Sequence, residues 1–142
     1  MRISNTRLSR GFLLASLLLL AGCGSVAEGP VGDATNGQKL FSGELPIAGG
    51  NVPVCSMCHT VTAGESLVIG PNLSNIGNRA ATTLKGMSAM EYLRSSVIDP
   101  DGYLAGGFQE GIHYRGYGQA LTPQQLNDLI AYLITLKSGQ NH

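Results

Sequence analysis

The feature that most constrains this chain is a five-residue motif near its middle, Cys55-Ser56-Met57-Cys58-His59. Two cysteines separated by two residues on a helical turn place both sulfur atoms on one side, and the next residue presents an imidazole there. This C-x-x-C-H spacing is the pattern of c-type haem attachment, in which both thiols add to the haem vinyl groups and the histidine becomes an axial ligand. The motif therefore predicts one covalently bound haem c, held by Cys55 and Cys58, with His59 as an iron ligand.

Three other interpretations of the cysteine pair remain open at this point. A structural zinc site needs four ligands, and the sequence offers no second cysteine pair. A thioredoxin-like dithiol needs a βαβ setting, which the sequence does not indicate. A plain disulfide is compatible with export to an oxidising compartment. The adjacent His59 and the export signal described next favour haem.

The N-terminus has the pattern of an export signal, since three arginines within residues 2–10 precede an apolar run over residues 11–22. The run is shorter than the roughly 18 apolar residues that a membrane-spanning helix needs. It ends in LAGC at residues 20–23, which resembles the lipobox of bacterial lipoproteins; an ordinary signal peptide is the alternative. We expect removal of the signal peptide before Cys23, lipidation of Cys23, and anchoring to the bacterial membrane facing the periplasm or cell exterior.

The 142-residue chain has room for one small domain with short appendages. We assign residues 1–22 to the signal peptide, 23–32 to the lipidated cysteine and a flexible tether, 33–138 to the folded domain and 139–142 to a C-terminal tail. Without the signal peptide, six basic residues face nine acidic ones, a formal charge of −3. No basic patch is present in the sequence, which argues against nucleic acid as a partner.

The hydrophobic pattern predicts an all-α domain with three main helices and no strand. Asp33 is the expected N-cap of the first helix, which continues through Phe41. Ser88 opens a capping box for the middle helix, which stops at Pro100, and Thr122 opens another for the last helix. The connections are long and rich in glycine, which suits a chain that wraps around a bound cofactor.

Residues 33–136 resemble the class I bacterial cytochrome c domain, which carries one haem. Gly37 and Phe41 resemble the glycine and the aromatic residue of that family's first helix, which pack on the last helix, where Tyr132 takes the aromatic position. The resemblance implies the small all-α cytochrome c fold and a function in electron transfer.

The segment that follows the haem motif strengthens the resemblance. Residues 69–73 read IGPNL, which is similar to the family's G-P-x-L segment. In that family the proline carbonyl accepts a hydrogen bond from the proximal histidine, so the resemblance implies that Pro71 orients His59. Such a contact fixes the tautomer of the ligand and raises its basicity. On turn chemistry alone, Gly70 and Pro71 would form an ordinary turn.

One position departs from the family pattern. In similar domains attached to cytochrome oxidase subunits, the chain reads roughly Y-L-R-x-S-I-x-x-P-x-x-Y and then G-x-M-P-x-x-Y-G-x-x-L-T. Here residues 92–103 read YLRSSVIDPDGY and residues 111–122 read GIHYRGYGQALT, so the family's ligand methionine falls on His113. The resemblance therefore implies bis-histidine ligation by His59 and His113.

Other candidates for the sixth ligand stay open. Met87 and Met90 are possible, although the equivalent positions of the family serve packing. Met57 lies inside the attachment motif and cannot bend back to the iron, and His142 lies in the terminal tail. A vacant or water-bound position is the last alternative. Ligation by His113 would lower the haem potential relative to a methionine ligand, because imidazole favours ferric iron more than a thioether does.

These observations predict a one-electron carrier rather than an enzyme: a membrane-anchored mono-haem cytochrome c of a respiratory or photosynthetic electron-transfer chain. It would work free on its tether or as a subunit of a larger membrane electron-transfer complex, with redox proteins as partners. Two alternatives remain. One is a haem peroxidase or gas-binding haem sensor in which His113 leaves the iron, and the other is an interaction subunit whose haem is structural.

Overall fold

A computed structural model describes residue 1 and residues 32–67 and 69–138. The predicted lipidation site Cys23, the C-terminal tail, all of the signal peptide beyond Met1 and nearly all of the tether lie outside these residues. The described residues form five α-helices and no strand: α1 Ala34–Ser42, α2 Ile76–Thr83, α3 Ala89–Ile98, α4 Tyr117–Ala120 and α5 Pro123–Thr135. None of these helices is long and apolar enough to cross a bilayer. The predicted all-α fold is confirmed.

The three helices predicted from the sequence begin at the residues expected. The Asp33 carboxylate accepts hydrogen bonds from two backbone N–H groups in the first turn of α1. Ser88 and Thr122 each form a complete capping box, at the start of α3 and α5 respectively. These caps satisfy N–H groups that have no partner inside the helix, so they fix where each helix starts.

Helices α1 and α5 cross closely, and Gly37 is the reason. A Cβ atom at this position would lie 2.0 Å from the backbone oxygen of Asp128 and 2.7 Å from the Cβ of Tyr132. One turn further along α1, the rings of Phe41 and Tyr132 pack at a centroid distance of 5.6 Å with a tilt of 58°. The expectation that Gly37 and Phe41 pack on the last helix against Tyr132 is confirmed.

The helices share one apolar core, and α5 contributes the largest part of it. Burial of apolar side chains is the main driving force that holds the helices together. The buried aliphatic residues of α1, α3 and α5 are Leu40, Leu93, Leu129, Ile130 and Leu133.

The sequence did not predict α2. Its N-cap residue, Asn75, makes no capping hydrogen bond, because its side-chain oxygen accepts from the backbone N–H of Ser138 at 3.0 Å. Gly77, a weak helix former, lies in the first turn and donates its N–H to the Leu136 carbonyl at 2.8 Å. Contacts with the segment after α5 therefore position this helix, and a local pattern does not reveal them.

A buried carboxylate joins the start of α1 to α5. Asp128 Oδ1 accepts hydrogen bonds from the Asp33 backbone N–H at 2.8 Å and from the Gln124 side-chain amide at 2.7 Å.

We expect Asp128→Ala to lower the free energy of unfolding by about 1–3 kcal/mol, because it leaves the Asp33 donor unpaired at a partly buried site. Urea unfolding of the haem-loaded protein measures the loss. Gln124→Ala, which removes one exposed partner, should cost less than about 0.5 kcal/mol. Equal stability of Asp128→Ala and wild type would contradict this account.

Candidate haem site

The predicted attachment motif forms a tight turn. Residues Cys55–Met57 form a 3-10 helix, and the Cys55 carbonyl accepts from the backbone N–H groups of Cys58 at 3.1 Å and His59 at 3.0 Å. The turn places Cys55, Cys58 and His59 on the wall of one cavity. Burial raises the pKa of the Cys55 thiol to about 11, so this thiol is neutral at pH 7. The helical turn expected from the spacing is confirmed.

The imidazole of His59 is held by a backbone carbonyl. Its Nδ1 lies 2.8 Å from the Pro71 oxygen, which fits a tautomer that donates from Nδ1 and leaves Nε2 without a proton. Burial lowers the pKa of His59, and nearby His113 lowers it further, while the Pro71 carbonyl opposes the shift. His59 is therefore neutral at pH 7, which is the form that binds a metal ion.

Gly70 lets the chain pass directly beside this imidazole. A Cβ atom here would lie 2.7 Å from His59 Cε1 and 2.7 Å from the Cys58 carbonyl oxygen. The sequence indicated Gly70 only as part of a turn or of a family motif. The structure gives the physical reason for the glycine, because any side chain would displace the His59 ring.

A hydrogen-bond network fixes the segment that carries the Pro71 carbonyl. The side-chain amide of Asn72 donates to the Thr62 and Glu65 carbonyls, each at 2.7 Å. The Arg79 guanidinium donates to the Asn72 carbonyl at 2.8 Å. Sequence reasoning missed Asn72 and Arg79 as site residues, because their partners lie seven to ten residues away and form no recognisable local motif.

The structure brings His113 close to His59. The centroids of the two rings lie 6.1 Å apart, with an angle of 50° between their planes. His113 is half-buried, and its Nδ1 lies 3.1 Å from the carbonyl oxygen of Tyr114. Both imidazoles thus have Nδ1 beside a backbone carbonyl, which leaves Nε2 as the nitrogen available to a ligand.

Tyr117 supports His113 and was not identified from the sequence. Its ring packs edge-on against His113 at 5.6 Å and against Tyr114 at 5.0 Å. Its hydroxyl donates to the Pro53 carbonyl at 2.7 Å. Burial raises the pKa of Tyr117, so the hydroxyl keeps the proton that it donates. This tyrosine links the loop before Cys55 to the loop that contains His113.

The methionines considered as ligands lie elsewhere. Met87 and Met90 pack against the core, and neither lines the cavity that contains His59 and His113. The side chain of Met57 is exposed. His142 lies outside the described residues.

The cavity beside the two histidines has a volume of about 600 Å³. This volume lies within the roughly 300–1,000 Å³ that is usual for cofactor sites. Two cationic side chains, Arg79 and Arg115, also line it, and Arg79 is suited to pair with a carboxylate of a bound haem. Among residues 32–67 and 69–138, no three His, Cys, Asp or Glu side chains gather as they would around a zinc ion. The apolar part of the lining includes Phe41, Leu73, Ile76, Leu93, Val97, Leu129 and Leu133.

An all-α domain whose apolar cavity carries a C-x-x-C-H motif on its wall is a c-type haem protein. Residues 34–137 match the cytochrome c family model, and the chain therefore belongs to the cytochrome c family. Cytochrome c of Guizotia abyssinica is 31% identical over 121 residues, which cover 77% of this chain and 95% of that protein. Cytochrome c of Gossypium barbadense is 29% identical over 121 residues, which again cover 77% of this chain and 95% of that protein. Cytochrome c of Ginkgo biloba is 27% identical over 119 residues, which cover 75% of this chain and 91% of that protein.

Family and motif together define the activity. The chain is a class I mono-haem cytochrome c domain, an electron-transfer protein whose cofactor is haem c attached through the Cys55 and Cys58 pair. The haem supplies the one-electron redox chemistry when bound, and the protein supplies its position, its ligands and its exclusion of water. The predictions of haem c and of an electron carrier rather than an enzyme are confirmed.

The close approach of Gly70 to His59 yields a test. We expect Gly70→Ala to move the His59 ring away from the Pro71 carbonyl and to shift the EPR g-values and the midpoint potential of the haem, because this contact tunes the ligand. Gly106→Ala is the matched control, since a Cβ atom there meets nothing within 4 Å and the backbone is not left-handed. EPR and potentiometry of the haem-loaded variants make the comparison. A Gly70→Ala protein with wild-type g-values and potential would refute a tuning role for the contact.

Proposed function

We propose that this cytochrome c carries electrons one at a time with its haem iron bound between His59 and His113. The distance of 6.1 Å between the ring centroids carries the proposal. Two imidazoles that bind one metal ion from opposite sides, through bonds of about 2.0–2.1 Å, have centroids roughly 6.3 Å apart. The spacing of the rings therefore suits one iron between them.

The surroundings of the two rings support the same assignment. Each Nδ1 is beside a backbone carbonyl, that of Pro71 for His59 and that of Tyr114 for His113, so each Nε2 is free to bind. Two imidazole ligands would leave no open position on the iron, which favours electron transfer over chemistry on a bound ligand. Imidazole in place of a thioether also gives a lower potential than His/Met ligation.

We further propose that the domain is exported and anchored by lipid on Cys23, facing the periplasm or the cell exterior. The family match begins at residue 34, so the apolar run, the LAGC sequence and the tether all precede the matched residues. The tethered domain exchanges electrons with redox partner proteins of a respiratory or photosynthetic chain. It does so either by moving on its tether or as a subunit of a larger complex.

Spectroscopy of a ligand variant tests the axial ligation. We expect the oxidised protein to give the EPR and near-infrared magnetic circular dichroism of bis-imidazole haem. His113→Met should give a methionine-type spectrum and a higher midpoint potential. Met90→Leu, which alters a packing residue outside the cavity, should keep the wild-type spectrum. A native methionine spectrum would refute the assignment. A high-spin spectrum with rapid carbon monoxide binding would favour the gas sensor or peroxidase.

Lipid labelling tests the anchor. In a bacterial host with lipoprotein processing, the wild-type protein should incorporate labelled palmitate and sediment with membranes. Cys23→Ser should lose the label, because the thiol that receives the lipid is gone, and without acyl chains the cleaved domain should be released from the membrane. Haem attachment at Cys55 and Cys58 should be unaffected in this variant. An unlabelled wild-type protein that is released from membranes would contradict the anchor and leave electron transfer untouched.

A further inference from the structure

The loop that carries His113 has few backbone hydrogen bonds of its own. Between α3 and α4, the loop has one such bond from Gly102 to Asp99 and another from Phe108 to Ala105. Among the described residues, none has a donor or an acceptor within residues 109–115. The backbone alone therefore does not fix the segment that presents His113 to the cavity.

A single carboxylate holds this segment on both sides of His113. Asp101 Oδ1 accepts from the Gly111 backbone N–H at 3.0 Å, and Oδ2 accepts from Arg115 Nε at 2.5 Å. Gly111 has a φ of +80°, a conformation that glycine adopts without strain and that brings its N–H to the carboxylate. The two donors lie two residues before and two residues after His113.

Asp101 differs from an ordinary surface ion-pair residue. Its side chain is 19% exposed, and it makes a second bond to the backbone in addition to the Arg115 contact. Glu110, which also faces Arg115, is 71% exposed and lies 3.5 Å from it. Exposed pairs of that kind contribute little to stability, whereas short hydrogen bonds that a partly buried carboxylate accepts contribute more.

Asp101 lies near the end of α3, at a point where the backbone has little freedom. It follows Pro100, whose ring locks the backbone just after the end of α3. The Gly111 N–H and Arg115 together hold the pKa of Asp101 below its ordinary value, so the carboxylate is charged at neutral pH. Asp101 also lines the same cavity as His113. A charged acceptor near the end of α3 is thus available to bind the loop that carries His113.

We propose that Asp101 is a positioning residue that keeps His113 on the haem iron by bridging Gly111 and Arg115. This inference rests on the proposed ligation by His113. Without the bridge, the segment gains other conformations in which His113 is off the iron and the sixth coordination position is open. The fraction of open molecules then sets how fast an external ligand can bind.

Carbon monoxide binding to the ferrous, haem-loaded protein tests the proposal. We expect Asp101→Ala to bind carbon monoxide about tenfold faster than wild type or more, because two hydrogen bonds to a charged group are lost. Asp101→Asn, which keeps one acceptor but loses the charge, should be intermediate, and so should Arg115→Gln. Glu110→Gln removes the other carboxylate that faces Arg115 and should behave as wild type.

A second background shows whether Asp101 acts through His113. In His113→Ala, where the ligand is already absent, adding Asp101→Ala should leave the carbon monoxide rate unchanged. An equal acceleration in both backgrounds would overturn the proposal, because Asp101 would then control general access to the cavity. A lower thermal midpoint with a wild-type carbon monoxide rate would also overturn it and mark Asp101 as purely structural. Asp101→Asn and Arg115→Gln provide the same comparison if Asp101→Ala fails to fold.

The outcomes separate this inference from the proposed function. A wild-type spectrum without a bis-imidazole signature refutes ligation by His113 and, with it, the role of Asp101. A bis-imidazole spectrum that is accompanied by slow, wild-type carbon monoxide binding in all Asp101 and Arg115 variants refutes the role of Asp101 alone.

Discussion

Four helices of this domain contribute apolar side chains both to the core between them and to one shared cavity. Phe41 of α1, Ile76 of α2, Leu93 of α3 and Leu129 of α5 all line it. Most small domains of this length fill their centre with side chains at close packing. Here a cavity of about 600 Å³ adjoins the packed core and is lined largely by apolar side chains, so a bound haem would complete the packing. The attachment turn and residues of the long loops complete the wall of this cavity.

Local chemistry explains what the sequence predicted well. Capping residues such as Asp33, Ser88 and Thr122 act on backbone groups two or three positions away, so their signal is contained in a short window. The C-x-x-C-H motif is equally local, and the haem c that it predicted is confirmed. The family resemblance added the packing of Gly37 on the last helix, which the structure confirms.

The features that the sequence did not reveal depend on distant partners. Helix α2 forms against the segment after α5, Tyr117 bonds to the Pro53 carbonyl, and Asn72 bonds to two carbonyls of a preceding loop. None of these residue types is unusual for a turn or a surface at its position. Only the three-dimensional arrangement distinguishes a tyrosine that packs against His113 from one that covers the core.

The hydrogen bond between Asp128 and Asp33 joins α5 to the start of α1 and involves neither of the two histidines at the cavity. Asp128 binds the N–H of Asp33, the residue at which the proposed tether enters the domain, and neither residue lines the haem cavity. A pull along the tether would therefore load the contact between α1 and α5 first. Because Phe41 of α1 and Leu129 of α5 also line the cavity, tension on the proposed tether would act on one wall of the haem site before it reached the loops that carry His59 and His113.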